Sequence, residues 1–184
     1  MKRLFFMMTA AVLLLSCEDR TDAVGSRADG EDQSMAQRNS ENSREIYRAI
    51  ETGDVSRLDS ILDENVIDHN ANPDGSDLKG RDSVKHFISQ IHQFFDGLKV
   101  EHIADATSAD GNYHFALVRM TGKSKQNPWG MPVGIDMDDT MVDVVKIKDG
   151  LAAEHWGFMS QQDHNEMMGS MGDSKPAVTD TTRN

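Results

Sequence analysis

The spacing of apolar residues changes once along this chain, at Asp96-Gly97, and that change restricts it to helices that come first and strands that follow. Before the change, Ile46, Tyr47 and Ile50 in SREIYRAIETGD recur at helical spacing, and Gly53-Asp54 supplies a stop and a new N-cap. VSRLDSILDEN predicts a short second helix with Val55, Leu58, Ile61 and Leu62 turned inward. Asp82 to Phe95 predicts a longer third helix, striped by Val84, Phe87, Ile88, Ile91 and Phe94/Phe95. After the change, LKVEHIADATS, a DGN turn, YHFALVRMTGKS, the Pro/Gly-rich NPWGMPVGIDMD and VDVVKIKDGLAAEHWGF read as sequential antiparallel strands and their connections. Helices followed by a run of strands belong to the α+β class, with the helices laid on one face of the sheet.

The flanks lie outside that unit. MKRLFFMMTAAVLLLS carries two positive charges and then an apolar run from Leu4 to Leu15, too short for a comfortable membrane span, so residues 1–16 read as an export signal. Its end, Leu14-Leu15-Ser16-Cys17, resembles the lipobox of bacterial lipoproteins, in which cleavage falls before the cysteine and that cysteine receives lipid. The expectation is attachment to a bacterial membrane through Cys17, in the cell envelope, on the periplasmic face or the cell surface. Cys17 is the only cysteine of the 184 residues, so no thiol remains for a disulfide or a zinc site. Residues 17–42 are polar and without period, and they read as a flexible tether. The folded domain is expected over 43–168, with a mobile tail at 169–184. A formal net charge of −12 argues against any nucleic-acid partner, because such proteins neutralise phosphates with clustered lysine and arginine.

Chemistry concentrates in the last hairpin. Asp149-Gly150 is a strong two-residue turn signal, and counting outward from it pairs Ile147 with Ala152, Val145 with Glu154, Asp143 with Trp156 and Met141 with Phe158. That register puts Asp143, Glu154 and Trp156 together on the apolar, helix-covered face, and it leaves His155 on the other. A slip of one residue would reverse the assignment.

The order of elements, together with VIDHNANPDGSDLKGRDSVKHFISQI, the loop WGMPVGID and the closing VDVVKIKDGLAAEHWGF, resembles the SnoaL-like polyketide cyclase family of the nuclear transport factor 2-like superfamily, over roughly residues 43–165. The resemblance implies a cone in which N-terminal helices pack on a curved antiparallel sheet around a small-molecule pocket. It also implies an open sheet face that packs on a second copy as a homodimer. The family's His-Asn-Pro is met by His69-Asn70, with Ala71 in place of the proline. Its Gly-x-Pro-x-Gly loop is met by Gly130, Pro132 and Gly134, its Val-Asp by Asp143, and its Glu-His-Trp by Glu154, His155 and Trp156. Relatives often continue with aspartate where this chain has Gly157.

A carboxylate enclosed by apolar groups has its charged form disfavoured and can remove a proton from carbon next to a carbonyl. Asp143 is therefore cast as the base, with His69, Asn70 or a protonated Glu154 donating to the developing enolate oxygen. Asn70, Trp156, Trp129 and Pro132 are expected to bind the substrate, Trp156 as the floor under a flat molecule. Such a ring closure, aldol step or isomerisation requires no metal and no organic cofactor. Two other readings stand beside it. One is a non-catalytic module that binds a small apolar or carbonyl-bearing ligand, a reading suited to a lipid-tethered envelope protein. The other is a Cu(I) site at His164, Met167, Met168 and Met171, against which methionines simply fill gaps at a helix end.

Overall fold

The computed structural model describes residues 22–72, 74–126 and 132–160; Cys17, Trp129, Gly130 and the histidine-methionine segment at 164–171 lie outside them. Helix α1 (Asp22–Thr52) comes first, and a single 3-10 turn at Leu58–Ser60 leads into strand β1 (Leu62–Asp68) and the two-residue β2 (Leu78–Lys79). Helix α2 (Arg81–Ile91) follows and runs through a 3-10 turn at His92–Phe94 into β3 (Phe95–Thr107). Strands β4 (Tyr113–Ser124), β5 (Asp136–Lys148) and β6 (Leu151–Met159) complete a six-stranded sheet in the order β2-β1-β6-β5-β4-β3. Helices on one face of a curved sheet are the expected α+β architecture. The sheet is mixed rather than wholly antiparallel, because β1 runs parallel to β6.

Two expectations are corrected. The predicted second helix is replaced by the 3-10 turn and β1. Ile61 and Leu62 are buried as a helix would have buried them, at 4% and 3% exposure, but Ala152 donates to the Ile61 carbonyl and Leu62 pairs with Ala152. Pairing with β6 thus satisfies the same apolar residues and their backbone at once, and it overrides local helical spacing. The predicted flexible tether over 17–42 is helical from Asp22 onward. Between residues 34 and 43, α1 docks through small polar side chains, Asn39 and Ser43, both buried, which leave no apolar stripe in the sequence. Met35 also lies against the β3–β4 turn at Gly111, and Arg38 lies over the β5–β6 turn at Gly150. At its other end α1 stops where expected: Gly53, at φ 77°, donates its amide to the Ala49 carbonyl as a C-terminal cap.

The core forms between the helices and the inner face of the sheet. One cluster joins Ala49, Leu58, Ile61, Leu62, Val66, Val84, Ile88 and Ala152. A second holds Ile91, Phe95, Leu98 and Met137, and a third holds Tyr47, Ala116 and Val118. Ile50 of α1 packs against all three and ties them into one interior.

The β5–β6 turn at Asp149-Gly150 has both residues at positive φ, 52° and 79°, as the sequence predicts. The register beyond it differs. Ile147 pairs with Ala152 but Lys146 pairs with Glu154, so Ala153 is an extra residue, a bulge, in β6. From there outward the partners are Val145 with His155, Val144 with Trp156, Asp143 with Gly157 and Val142 with Phe158. Asp143 and His155 therefore share the inner face, at which Asp143 is 8% exposed, whereas Glu154 and Trp156 share the open face with Val142 and Phe158, exposed by 38% and 57%.

Candidate functional site

The bulge and the parallel β1–β6 pairing act together at one point. Asp68, the last residue of β1, pairs with His155, and antiparallel pairing brings Asp143 beside it from β5. His155 Nδ1 lies 3.2 Å from Asp68 Oδ1, and its Nε2 lies 3.5 Å from Asp143 Oδ1. From the helix above, the Tyr47 hydroxyl donates to Asp143 Oδ2 at 2.8 Å. The result is a row, Asp68–His155–Asp143–Tyr47, on the helix-covered face. About 30% of the His155 side chain stays exposed.

Electrostatics fixes the charges in this row. Burial alone would push His155 down, but hydrogen bonding to Asp143 and Asp68 and the charge of both carboxylates outweigh it and raise the ring to about 10. His155 is thus an imidazolium throughout the neutral range, with each ring nitrogen within ion-pair distance of one carboxylate. For Asp68, burial is opposed by His155 and by the backbone amides of Asn70 and Ala71, which hold the carboxyl below its ordinary value. Burial, reinforced by the Asp143 charge, raises Tyr47, so its hydroxyl stays protonated and remains a donor.

Of the residues expected to act with Asp143, His69, Glu154 and Trp156 are on the wrong face for that task. The His69 ring stacks on Trp156, with centroids 4.8 Å apart and planes within 17°. Its Nδ1 is 2.7 Å from Asp77 Oδ1 and its Nε2 is 3.4 Å from Glu154 Oε2. Lys146 donates to Glu154 Oε1 at 2.7 Å and holds that carboxyl below its ordinary value against a smaller opposing effect of burial, with His69 adding to the lowering. Glu154 is therefore ionised and cannot serve as the protonated donor. Asn70 lies close to the row, but both ends of its amide are engaged: Nδ2 donates to the Gly157 carbonyl at 3.1 Å and Oδ1 accepts from the Gly157 amide at 2.6 Å. It extends the β1–β6 ladder by one rung as a positioning residue. Pro132 sits at the β4–β5 connection, where its carbonyl accepts from Ser124 Oγ. Gly157, where relatives often carry aspartate, has a backbone on which a Cβ would stand 3.3 Å from Asp143 Oδ1, so a side chain there would crowd the carboxylate.

The sequence placed Asp143 on the covered face and did not bring Asp68, His155 and Tyr47 beside it. Asp68 and His155 meet only through parallel pairing between segments 87 positions apart, which no local pattern announces. Tyr47 was legible as a helix-stripe residue, but its hydroxyl partner was not. The signal that was available is the alternation itself, since a slip of one residue exchanges Glu154 and Trp156 for His155.

Between α1 and the sheet, Asn39, Asn42, Ser43, Ile46, Ile61, His114, Val145, Ile147 and Ala152 line a cavity of about 10 Å³, room for roughly one water molecule. Among the described residues no cluster of histidine, cysteine or carboxylates is arranged to hold a metal ion, and no helix is long and apolar enough to cross a membrane.

None of the curated proteins matches this chain. Solved structures do. TsrD from Streptomyces laurentii is 19% identical over 73% of this chain and 96% of its own, with a TM-score of 0.62. A protein from Jannaschia sp. CCS1 described as a SnoaL-like polyketide cyclase is 16% identical over 77% of this chain and 96% of its own, again with a TM-score of 0.62. SalBIII, described as an epoxide hydrolase/cyclase-like enzyme in pyran ring formation in the polyether salinomycin, is 16% identical over 69% of this chain and 94% of its own, with a TM-score of 0.55. At these identities the likeness is one of fold. The model of the SnoaL-like domain matches residues 43–155, which include every member of the Asp68–His155–Asp143–Tyr47 row, and the chain belongs to that family.

Proposed function

We propose that this chain performs cofactor-free acid-base chemistry on a small carbonyl compound, at the row formed by Asp68, His155, Asp143 and Tyr47. The observation that supports it is the imidazolium held between two carboxylates on the covered face of the sheet, with part of its side chain exposed. Burying three ionisable side chains together costs several kcal/mol per ion unless they are paired, and such clusters concentrate at functional sites. In this reading Asp143 takes a proton from the carbon next to the carbonyl, and the His155 Nε2–H turns from Asp143 to the developing enolate oxygen. Asp68 keeps the imidazolium oriented, and Tyr47 holds the second oxygen of Asp143. The substrate class is a flat or apolar ketone, and the reaction type is ring closure, aldol addition or isomerisation.

Exchange of the acidic hydrogens of β-tetralone, a flat bicyclic ketone, into deuterated water tests this. The parent is expected to accelerate the exchange, and Asp143→Asn to lower the acceleration by about a hundredfold to ten-thousandfold. Saturable binding of β-tetralone or β-naphthol without exchange would instead establish the binding-module reading. That alternative draws on the fixed charge of His155, which suits recognition of an oxygen atom as well as catalysis.

Two wider features belong to the same proposal. Leu14-Leu15-Ser16-Cys17 supports lipid attachment at Cys17 in the cell envelope; Cys17→Ala should release the protein into the soluble fraction. The open sheet face, where Phe115, Val142 and Phe158 are exposed, supports a homodimer.

A further inference from the structure

A second group of titratable side chains lies on the same covered face, closer to the β3–β4 turn. A bulge at Ile103 in β3 sets His102 opposite Val118 and Asp105 opposite Ala116, so both side chains point under α1, beside His114 of β4. His114 is 2% exposed. Its Nδ1 is 3.1 Å from the Thr107 hydroxyl, while its Nε2 and the Nε2 of His102 are buried without a hydrogen-bond partner among the described residues. Each of these nitrogens faces a different oxygen of one carboxylate: His114 Nε2 is 3.7 Å from Asp105 Oδ2, and His102 Nε2 is 3.9 Å from Asp105 Oδ1. These separations exceed a hydrogen bond, and a proton on either ring supplies the donor that would close one of them.

We propose that His102, Asp105 and His114 form a one-proton site beneath α1, and that Tyr47 carries the charge state of this site to Asp143. One added proton gives Asp105 a buried charged partner beside the more exposed Arg44 guanidinium. A second would place two imidazolium ions and the guanidinium of Arg44, itself 3.9 Å from Asp105 Oδ1, around a single carboxylate. Burial pushes His114 down, Asp105 opposes that, and a charge on His102 adds to it, so the two rings compete for the proton. The route to the reactive row is short. The Tyr47 ring lies 6.0 Å from the His102 ring, tilted by 51°, and its hydroxyl is bonded to Asp143. A cation at His102 draws on the Tyr47 ring electrons and makes its hydroxyl a stronger donor to Asp143. The charged and titratable groups around the site are Arg44 and Tyr47 from α1, His102 and Asp105 from β3, His114 from β4, and, through Tyr47, Asp143 of β5 and His155 of β6. Through this site the reactive row would respond to protonation of these two histidines, which His155, already charged in the neutral range, does not provide.

Its functional meaning rests on Asp143 being the reactive carboxylate, but the titration is read with no ligand present, so failure here and failure of ketone exchange are separate results. The test is an NMR titration of the full chain, labelled at histidine and tyrosine rings, between about pH 5 and 8. The expected result is a single shared transition in which His102 and His114 together take up one proton and the Tyr47 ring signals move with the same midpoint. In Asp105→Asn the shared transition and the Tyr47 shift should both vanish; His114→Gln should leave one proton on His102 and keep the Tyr47 shift. Two independent one-proton transitions, no uptake at all, or Tyr47 signals that ignore the histidines would each overturn the proposal, and the parent titration alone decides among these three.

Discussion

His155 carries the most consequential charge of the candidate site, and its sign of action on stability can be worked out. Its folded-state value, about 10, lies above the ordinary 6.5, so the folded protein binds the proton more tightly than the unfolded chain does. The stabilisation is complete below about pH 6.5 and is lost as pH rises through about 10. Urea unfolding of the parent and of His155→Gln should therefore show a difference in favour of the parent that shrinks steadily over that interval. Asp143→Asn removes one of the two carboxylates, and the His155 ring should then titrate well below its parent value in an NMR titration. Tyr47→Phe deletes the donor to a buried carboxylate oxygen and should cost about 1–3 kcal/mol in the same unfolding measurement.

At the scale of elements, the strand β6 decides the site. Deleting Ala153 would turn the bulge into a regular ladder while keeping Lys146 opposite Glu154 and Val145 opposite His155, so the His155 titration should be unchanged by NMR and the urea midpoint should shift only slightly. Leu58→Ala, at a fully buried position of the 3-10 turn, should cost about 2–5 kcal/mol by the same readout. These two positions also show what was legible in the sequence. Leu58, Ile61 and Leu62 were identified as core residues, and they are, although the element that buries two of them is a strand edge and not a helix. Gly53 and the Asp149-Gly150 turn were read correctly because each needs a backbone conformation that few residues adopt. Asp143 was placed on the covered face, but its partners were not, because a bulge adds one residue without leaving any apolar or polar signature. The helical course of α1 before Ser43 was invisible for a related reason: Asn39 and Ser43 are buried polar residues, and composition assigns such residues to the surface.

Over the whole molecule, the sheet divides its two faces between different tasks. One face, under α1, holds the ionisable rows. The other presents Phe115, Val142 and Phe158 to solvent, next to the stacked His69 and Trp156. If that face pairs with a second copy, Phe158→Asp combined with Val142→Lys should turn a dimer into a monomer in sedimentation velocity while leaving the His155 titration unchanged. The single bulge at Ala153 has a wider consequence for this family. A strand keeps a reading frame much as a gene does: its letters Glu-His-Trp are constant, but which of them is translated into chemistry and which into contact depends on whether an upstream residue is counted in the ladder or bulged out of it. Two chains that spell the same motif can therefore present opposite residues to a substrate, and aligning their letters without aligning their bulges would assign the wrong one to each.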